Sequence, residues 1–218
     1  MELMFLFLIL PFFIYWCVNE KAGLQLGIVA LLSIWAIFLY RQLDEHLPVN
    51  FDFRWIIIAV IFCGYLLLRN KIEALLAKGG FRAFMIGAAA VSFIMILYRP
   101  DLEFVFPGGI MLGLCAGYCL NKRYIGFKAA EVLQRTGVAK YLTLLVRFFL
   151  GMVVLLLIVF LTGIIIEQFS ESQNVQLYGF IIFVLIGLWV SAVAPWVFVR
   201  LRLAGAVFDA EWNKKNDE

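Results

Sequence analysis

Residues 141–166 read "YLTLLVRFFLGMVVLLLIVFLTGIII". The run carries one charge, Arg147, and no proline. A helix rises about 1.5 Å per residue, so about 20 apolar residues cross the roughly 30 Å hydrocarbon layer of a bilayer. This run is longer than that. It also lacks the strict apolar/polar alternation of a membrane-barrel strand, so it reads as a transmembrane helix. Arg147 lies close to its first end and is read as snorkelling back toward the basic loop that precedes it.

The same reading extends in both directions. Of 218 residues, 65% are hydrophobic and 15% charged, whereas a soluble domain is roughly half apolar and about a quarter charged. Seven spans are expected, at about 3–18, 24–40, 52–68, 83–98, 104–120, 141–166 and 177–199. Lipid offers no hydrogen-bond partners, so each span must satisfy its own backbone as a helix. The expected fold is therefore an all-α, polytopic transmembrane bundle in one domain, residues 1–202, with a short tail at 203–218. The opening "MELMFLFLILPFF" places Glu2 where a cleaved signal needs positive charge, so it is read as a retained first helix. Pro11 is expected to kink that helix or cap one half of it.

The net charge of +3 hides an asymmetry. Fourteen of the eighteen basic residues fall after the first, third and fifth spans or in the tail, from Lys21 to Lys215. The alternate loops hold Arg41, Arg54 and Arg99 among acids such as Asp44, Glu45, Asp52, Asp101 and Glu103. Lys/Arg-rich loops stay cytoplasmic, which places the N-terminus outside and the C-terminus in the cytoplasm. The basic loop "RNKIEALLAKGGFR" (69–82) is expected to be a short amphipathic helix on the inner leaflet, ended by Gly79-Gly80.

Little in the chain carries chemistry. In "PGGIMLGLCAGYCL" (107–120) the glycines lack the Gly-Lys-Ser/Thr of a phosphate loop. Gly109, Gly113 and Gly117 instead repeat the small-xxx-small spacing that lets helices approach closely. The four cysteines sit in apolar runs without His or carboxylate neighbours, so no metal site is expected. His46, the one histidine, lies in "RQLDEHLPVNFDFR" (41–54) and is read as a solvated loop residue. No chain of buried acids suggests an ion path. Neither a cofactor nor a nucleic-acid partner is expected.

Two regions carry a resemblance. "FLFLILPFFIYWCVNEKAGLQLGIVALLS" (5–33) resembles the beginning of bacterial membrane phosphatases of the type-2 phosphatidic acid phosphatase family. "GIMLGLCAGYCLNKRYIGF" (109–127) and "GLWVSAVAPWVFVRLRLAG" (187–205) resemble extra C-terminal helices of some members. The resemblance implies catalysis by Lys-x6-Arg-Pro, Pro-Ser-Gly-His and Ser-Arg-x5-His-x3-Asp motifs, with one His attacking phosphorus and another protonating the leaving oxygen. In one alignment Arg41 takes the Lys position, Pro48-Val49 replaces Arg-Pro, and Asp52 takes the last Asp with Pro48 at its His. In another, drawn on "YRPDLEFVFPGGIMLG" (98–113), Arg99-Pro100 survives, Ser92 replaces the Lys, and Pro107-Gly108-Gly109-Ile110 lacks both Ser and His.

Either way no nucleophilic His remains in place, and no catalytic residue is assigned. The expectation is a non-catalytic relative in a bacterial cytoplasmic membrane. It would act as a subunit beside other membrane proteins or copies of itself, or as a binder of membrane lipids or polyprenyl phosphates through Arg41, Arg54 and Arg99. The alternatives are an active lipid phosphatase with a rearranged site, or a lipid transporter or flippase.

Overall fold

The computed structural model describes residues 2–44, 54–98, 101–130, 138–168 and 174–204. Among them are seven α-helices and no strands: α1 (Glu2–Cys17), α2 (Glu20–Asp44), α3 (Arg54–Tyr98), α4 (Leu102–Leu120), α5 (Val138–Gln168), α6 (Val175–Leu188) and α7 (Ala194–Arg200). Two π-helical turns interrupt this pattern, at Asn121–Ile125 after α4 and at Trp189–Val193 between α6 and α7. Through the second turn, α6 and α7 form one rod, Val175–Arg200.

Four stretches are long and apolar enough to cross a bilayer: Glu20–Gln42, Leu102–Ile125, Val138–Gln168 and Val175–Arg200. Leu8–Cys17 and Met85–Tyr98 are shorter apolar helical stretches. The chain is an integral membrane protein.

α1 and α2 form a tight hairpin. Asn19 caps α2, its side-chain oxygen accepting from the backbone N–H of Lys21 (2.9 Å) and Ala22 (3.1 Å). Gly23 lets α2 pass against the backbone of Tyr15, which a Cβ would strike. Pro11 sits within α1 without ending it.

Contacts at its two ends orient α2 against its neighbours. Glu20 lies beside Lys122, and Arg41 lies 3.9 Å from Glu103. The 21 helical steps from Glu20 to Arg41 span about 32 Å, close to the thickness of a bilayer core. α2 and α4 therefore run antiparallel, and the bundle has a basic end near Lys122 and an acidic end near Glu103. α4 is the central helix, with 67% of its span buried against 17% for α5. Phe104, Ile110, Leu114 and Cys115 of α4 lie in the core with Leu31 and Phe38 of α2, Met95 of α3, and Phe183 and Ile186 of α6.

One expectation changes in the structure. The stretches expected as separate spans at 52–68 and 83–98 are joined in the single 45-residue α3. Gly79-Gly80 does not end it, and residues 69–82 are helical throughout. The reason is compositional: apart from those two glycines, the segment is dominated by the strong helix formers Ala, Leu, Lys, Arg and Glu. At about 68 Å, α3 is twice as long as a hydrocarbon core is thick. Its second half packs on α4, where Ser92 O lies 3.2 Å from the place a Gly108 Cβ would take. In its first half Ile56, Val60, Phe62 and Leu66 are exposed.

Candidate functional site

The polar residues that gather in this apolar bundle do so at the basic end, and Pro195 begins the explanation. A proline in a helix has no N–H to give and its ring clashes with the carbonyl four residues earlier, here that of Ser191. The rod accommodates this by widening: the Ala194 N–H reaches back to Trp189 O, five residues away. Val190 O and Ser191 O are thereby released from the helical ladder. In lipid a released carbonyl must find another donor. Two side chains from α1 supply them: the Trp16 Nε1–H donates to Val190 O (2.8 Å) and the Tyr15 hydroxyl donates to Ser191 O (2.9 Å). All of these groups are buried.

The second π turn joins the same cluster. Asn121 Nδ2 donates to the Tyr15 hydroxyl (3.1 Å), and Asn121 Oδ1 accepts from the Phe127 N–H (3.1 Å). The turn closes on Gly126, whose N–H donates to Asn121 O (2.7 Å). Gly126 has φ 65°, in the left-handed region that glycine adopts without a steric penalty. Next to it, Lys122 Nζ lies 3.6 Å from Glu20 Oε1 with both side chains about nine-tenths buried, and Glu20 Oε2 accepts from the Ala129 N–H (3.2 Å).

Arg147 closes the cluster. It is fully buried. Its Nε and NH2 groups donate to Leu203 O (3.1 and 2.6 Å), and its NH1 group donates to Trp16 O (3.1 Å) and Ala129 O (3.2 Å). Its guanidinium carbon lies 5.5 Å from the centre of the Phe127 ring. The snorkelling expected of Arg147 is thus not what occurs. Three carbonyls from separate parts of the chain fix the planar fork inward, a geometry that suits guanidinium and not a point charge.

This knot ties α1, the turn after α4, the start of α5 and the end of the α6–α7 rod into one unit. Its polar atoms are turned on one another and on backbone. It contains a buried cation, a buried ion pair, a phenol and an amide, and no nucleophile–base pair. Sequence reasoning did not single out Tyr15, Glu20, Asn121 or Ser191. Pro195 within an apolar span is the signal that could have found them, because a proline there frees carbonyls of the helix.

The residues that the sequence did single out lie elsewhere. Gly109, Gly113 and Gly117 face the α6–α7 rod. A Cβ on Gly113 would strike Val184 O and lie 2.9 Å from Gly187 Cα; one on Gly109 would lie 2.7 Å from Phe183 Cβ. Ser191 Oγ donates to Gly187 O (2.8 Å) and lies 3.3 Å from Gly113 O across this contact. Arg41 is exposed at the acidic end beside Glu103, and Arg54 opens α3. Arg99 and His46 lie outside the described residues, as does the tail from 205 onward.

Residues 105–206 match the family model described as PAP2 superfamily phosphatase, transmembrane extension. Over this stretch, just under half of the chain, the protein is similar to PAP2 superfamily membrane proteins. The matched stretch runs through α4, both π turns, Arg147 and Leu203, and so contains most of the polar knot; α1 and α2 contribute Tyr15, Trp16 and Glu20 from outside it. No curated protein and no solved structure matches the chain.

Proposed function

We propose that this PAP2-related protein is a non-catalytic component of a bacterial cytoplasmic membrane, working as a subunit packed against partner membrane proteins or a second copy of itself. The observation that carries the reading is its single histidine. The chemistry implied by the resemblance needs two, because the group that attacks phosphorus and the group that protonates the leaving oxygen have separate roles. The subunit role draws support from α5, whose Leu142, Leu145, Phe149, Val153, Leu156 and Phe160 are exposed. This leaves a long apolar helix available to a neighbour.

A second reading is favoured by Arg41, an exposed cation at the acidic end. With Arg99 it would hold the headgroup of a lipid or polyprenyl phosphate, whereas Arg54 stands at the opposite end of the 45-residue α3 from Tyr98. Two measurements test these readings. Purified protein in nanodiscs is offered phosphatidate, phosphatidylglycerol phosphate and polyprenyl diphosphate, and no phosphate release is expected. Release that disappears in His46→Ala would replace both readings with an active phosphatase. Mass spectrometry of native nanodiscs should find a partner chain, a second copy or a retained lipid phosphate; a lone monomer with none of these would overturn the proposal. Loss of the retained lipid in Arg41→Gln would favour the second reading over the first.

A further inference from the structure

Beyond the knot itself, the basic end presents an exposed rim. Lys21, Arg123, Arg200 and Arg202 are exposed there, and Lys128 and Lys140 are half-buried. Elements already shown to meet bring them together: Glu20 contacts Lys122 and Ala129, and Arg147 contacts Trp16, Ala129 and Leu203. With the buried Lys122 and Arg147, the elements joined by these contacts bring eight cations and the carboxylate of Glu20 to this end. Two exposed tyrosines flank the rim, and cations lie over both: Arg123 is 5.5 Å from the Tyr124 ring centre and Lys140 is 6.0 Å from that of Tyr141. Tyrosines of this kind mark the headgroup level of a membrane.

Arg202 adds an independent observation. The rod ends in a Schellman motif, with the Leu203 N–H donating to Phe198 O (2.8 Å) and the Arg202 N–H to Val199 O (3.0 Å). Position 202 must then be left-handed, and Arg202 has φ 57°. Glycine is the residue this position favours, and the chain does use glycine at its other described left-handed position, Gly126. At 202 it places an exposed arginine instead, and the grip of Arg147 on Leu203 O holds the strained turn in place. Strain retained at an exposed cation points to a use for the cation.

We propose that this rim is a binding surface for anionic phospholipid headgroups, with Arg202, Arg200 and Arg123 at its centre and the two tyrosines setting its depth. Phospholipid is the occupant that the placement fits, because the rim lies where the bilayer-length helices end, about 30 Å from the acidic end. The inference concerns the end opposite Arg41 and holds whether or not the protein is catalytic.

The test is lipid enrichment. Protein is reconstituted in a mixed phosphatidylglycerol–phosphatidylcholine bilayer and extracted gently, and the lipid it carries is counted against the bulk ratio. Wild type is expected to carry an excess of phosphatidylglycerol that falls with added salt. Each cation removed from the rim should lower partitioning by about fivefold, so Arg123→Gln with Arg200→Gln should remove most of the excess. Arg202→Gly separates lipid binding from folding. It should raise thermal stability in pure phosphatidylcholine by relieving the turn, and at the same time lower phosphatidylglycerol enrichment. Bulk composition around the wild type, an excess unmoved by the double substitution, or an equal loss in Arg41→Gln would each overturn the proposal.

Discussion

Replacing Arg147 with methionine tests whether the knot holds the bundle together. Methionine keeps much of the volume and the flexible stem but removes five donors. Four hydrogen bonds are lost, and three carbonyls, at Trp16, Ala129 and Leu203, lose a charged partner. Leu203 is half-buried, so its carbonyl can regain water. The carbonyls of the buried residues Trp16 and Ala129 are left orphaned, at about 1–3 kcal/mol each. Relief from burying a guanidinium offsets part of this. The net expected cost is about 2–4 kcal/mol, which at about 2–4 °C per kcal/mol in a chain of this size lowers Tm by about 5–15 °C. Arg147→Lys should do no better, because a compact ammonium cannot bracket Leu203 O while also reaching Trp16 O and Ala129 O. The second readout is local. Cys17 is buried, with Sγ 3.7 Å from Leu144 O. In a chain with Cys63, Cys115 and Cys119 changed to alanine, maleimide should label Cys17 far faster once Arg147 is gone. A Tm within about 2 °C of the parent and an unchanged labelling rate would refute the latch, as would full rescue by lysine.

Three further outcomes are expected. Gly113→Ala should cost about 1–3 kcal/mol, because the new methyl meets backbone of the α6–α7 rod that cannot step aside. Gly163→Ala, with nothing within 4 Å of its added methyl, should be neutral or stabilise by up to about 1 kcal/mol; thermal unfolding of the two variants in parallel checks the pair. Lys122→Met should destabilise by about 3–5 kcal/mol because Glu20 is left buried and unpaired, and adding Glu20→Gln should recover much of the loss in a double-mutant cycle. Arg41→Ala should change stability by less than about 1 kcal/mol, because its pairing with Glu103 is long and exposed.

Much of the helical architecture was legible in the sequence, because lipid leaves the backbone so few options. The runs now seen as α2, α4, α5 and the α6–α7 rod are long, apolar and nearly uncharged, and those properties alone imply helices. The joining of residues 54–98 was not legible. Charge at 69–82 reads as a separate short helix on a membrane surface, ended by Gly79-Gly80, yet two adjacent glycines do not outweigh the helix formers around them. The fate of Arg147 was hidden for another reason. A snorkelling arginine and a buried one look alike in the chain, and the carbonyls that decide the matter come from residues 16, 129 and 203. For the glycines of α4 the spacing was visible but the partner was not: the repeat does not say that the backbone at Val184 and Gly187 will face Gly113.

The bonds from Tyr15 and Trp16 to Ser191 O and Val190 O have a consequence for biogenesis. They join residues 176 and 174 positions apart. A ribosome threads α1 into the bilayer long before Pro195 exists, so these two side chains wait with their hydrogen-bonding groups in or near lipid while five more helices are made. The carbonyls they need become available only when the last helix arrives and its proline disrupts the regular ladder. Closure of the knot is therefore a late event of synthesis that couples the earliest helix to the latest. A chain stopped before residue 190 would lack the groups that hold its first helix in place.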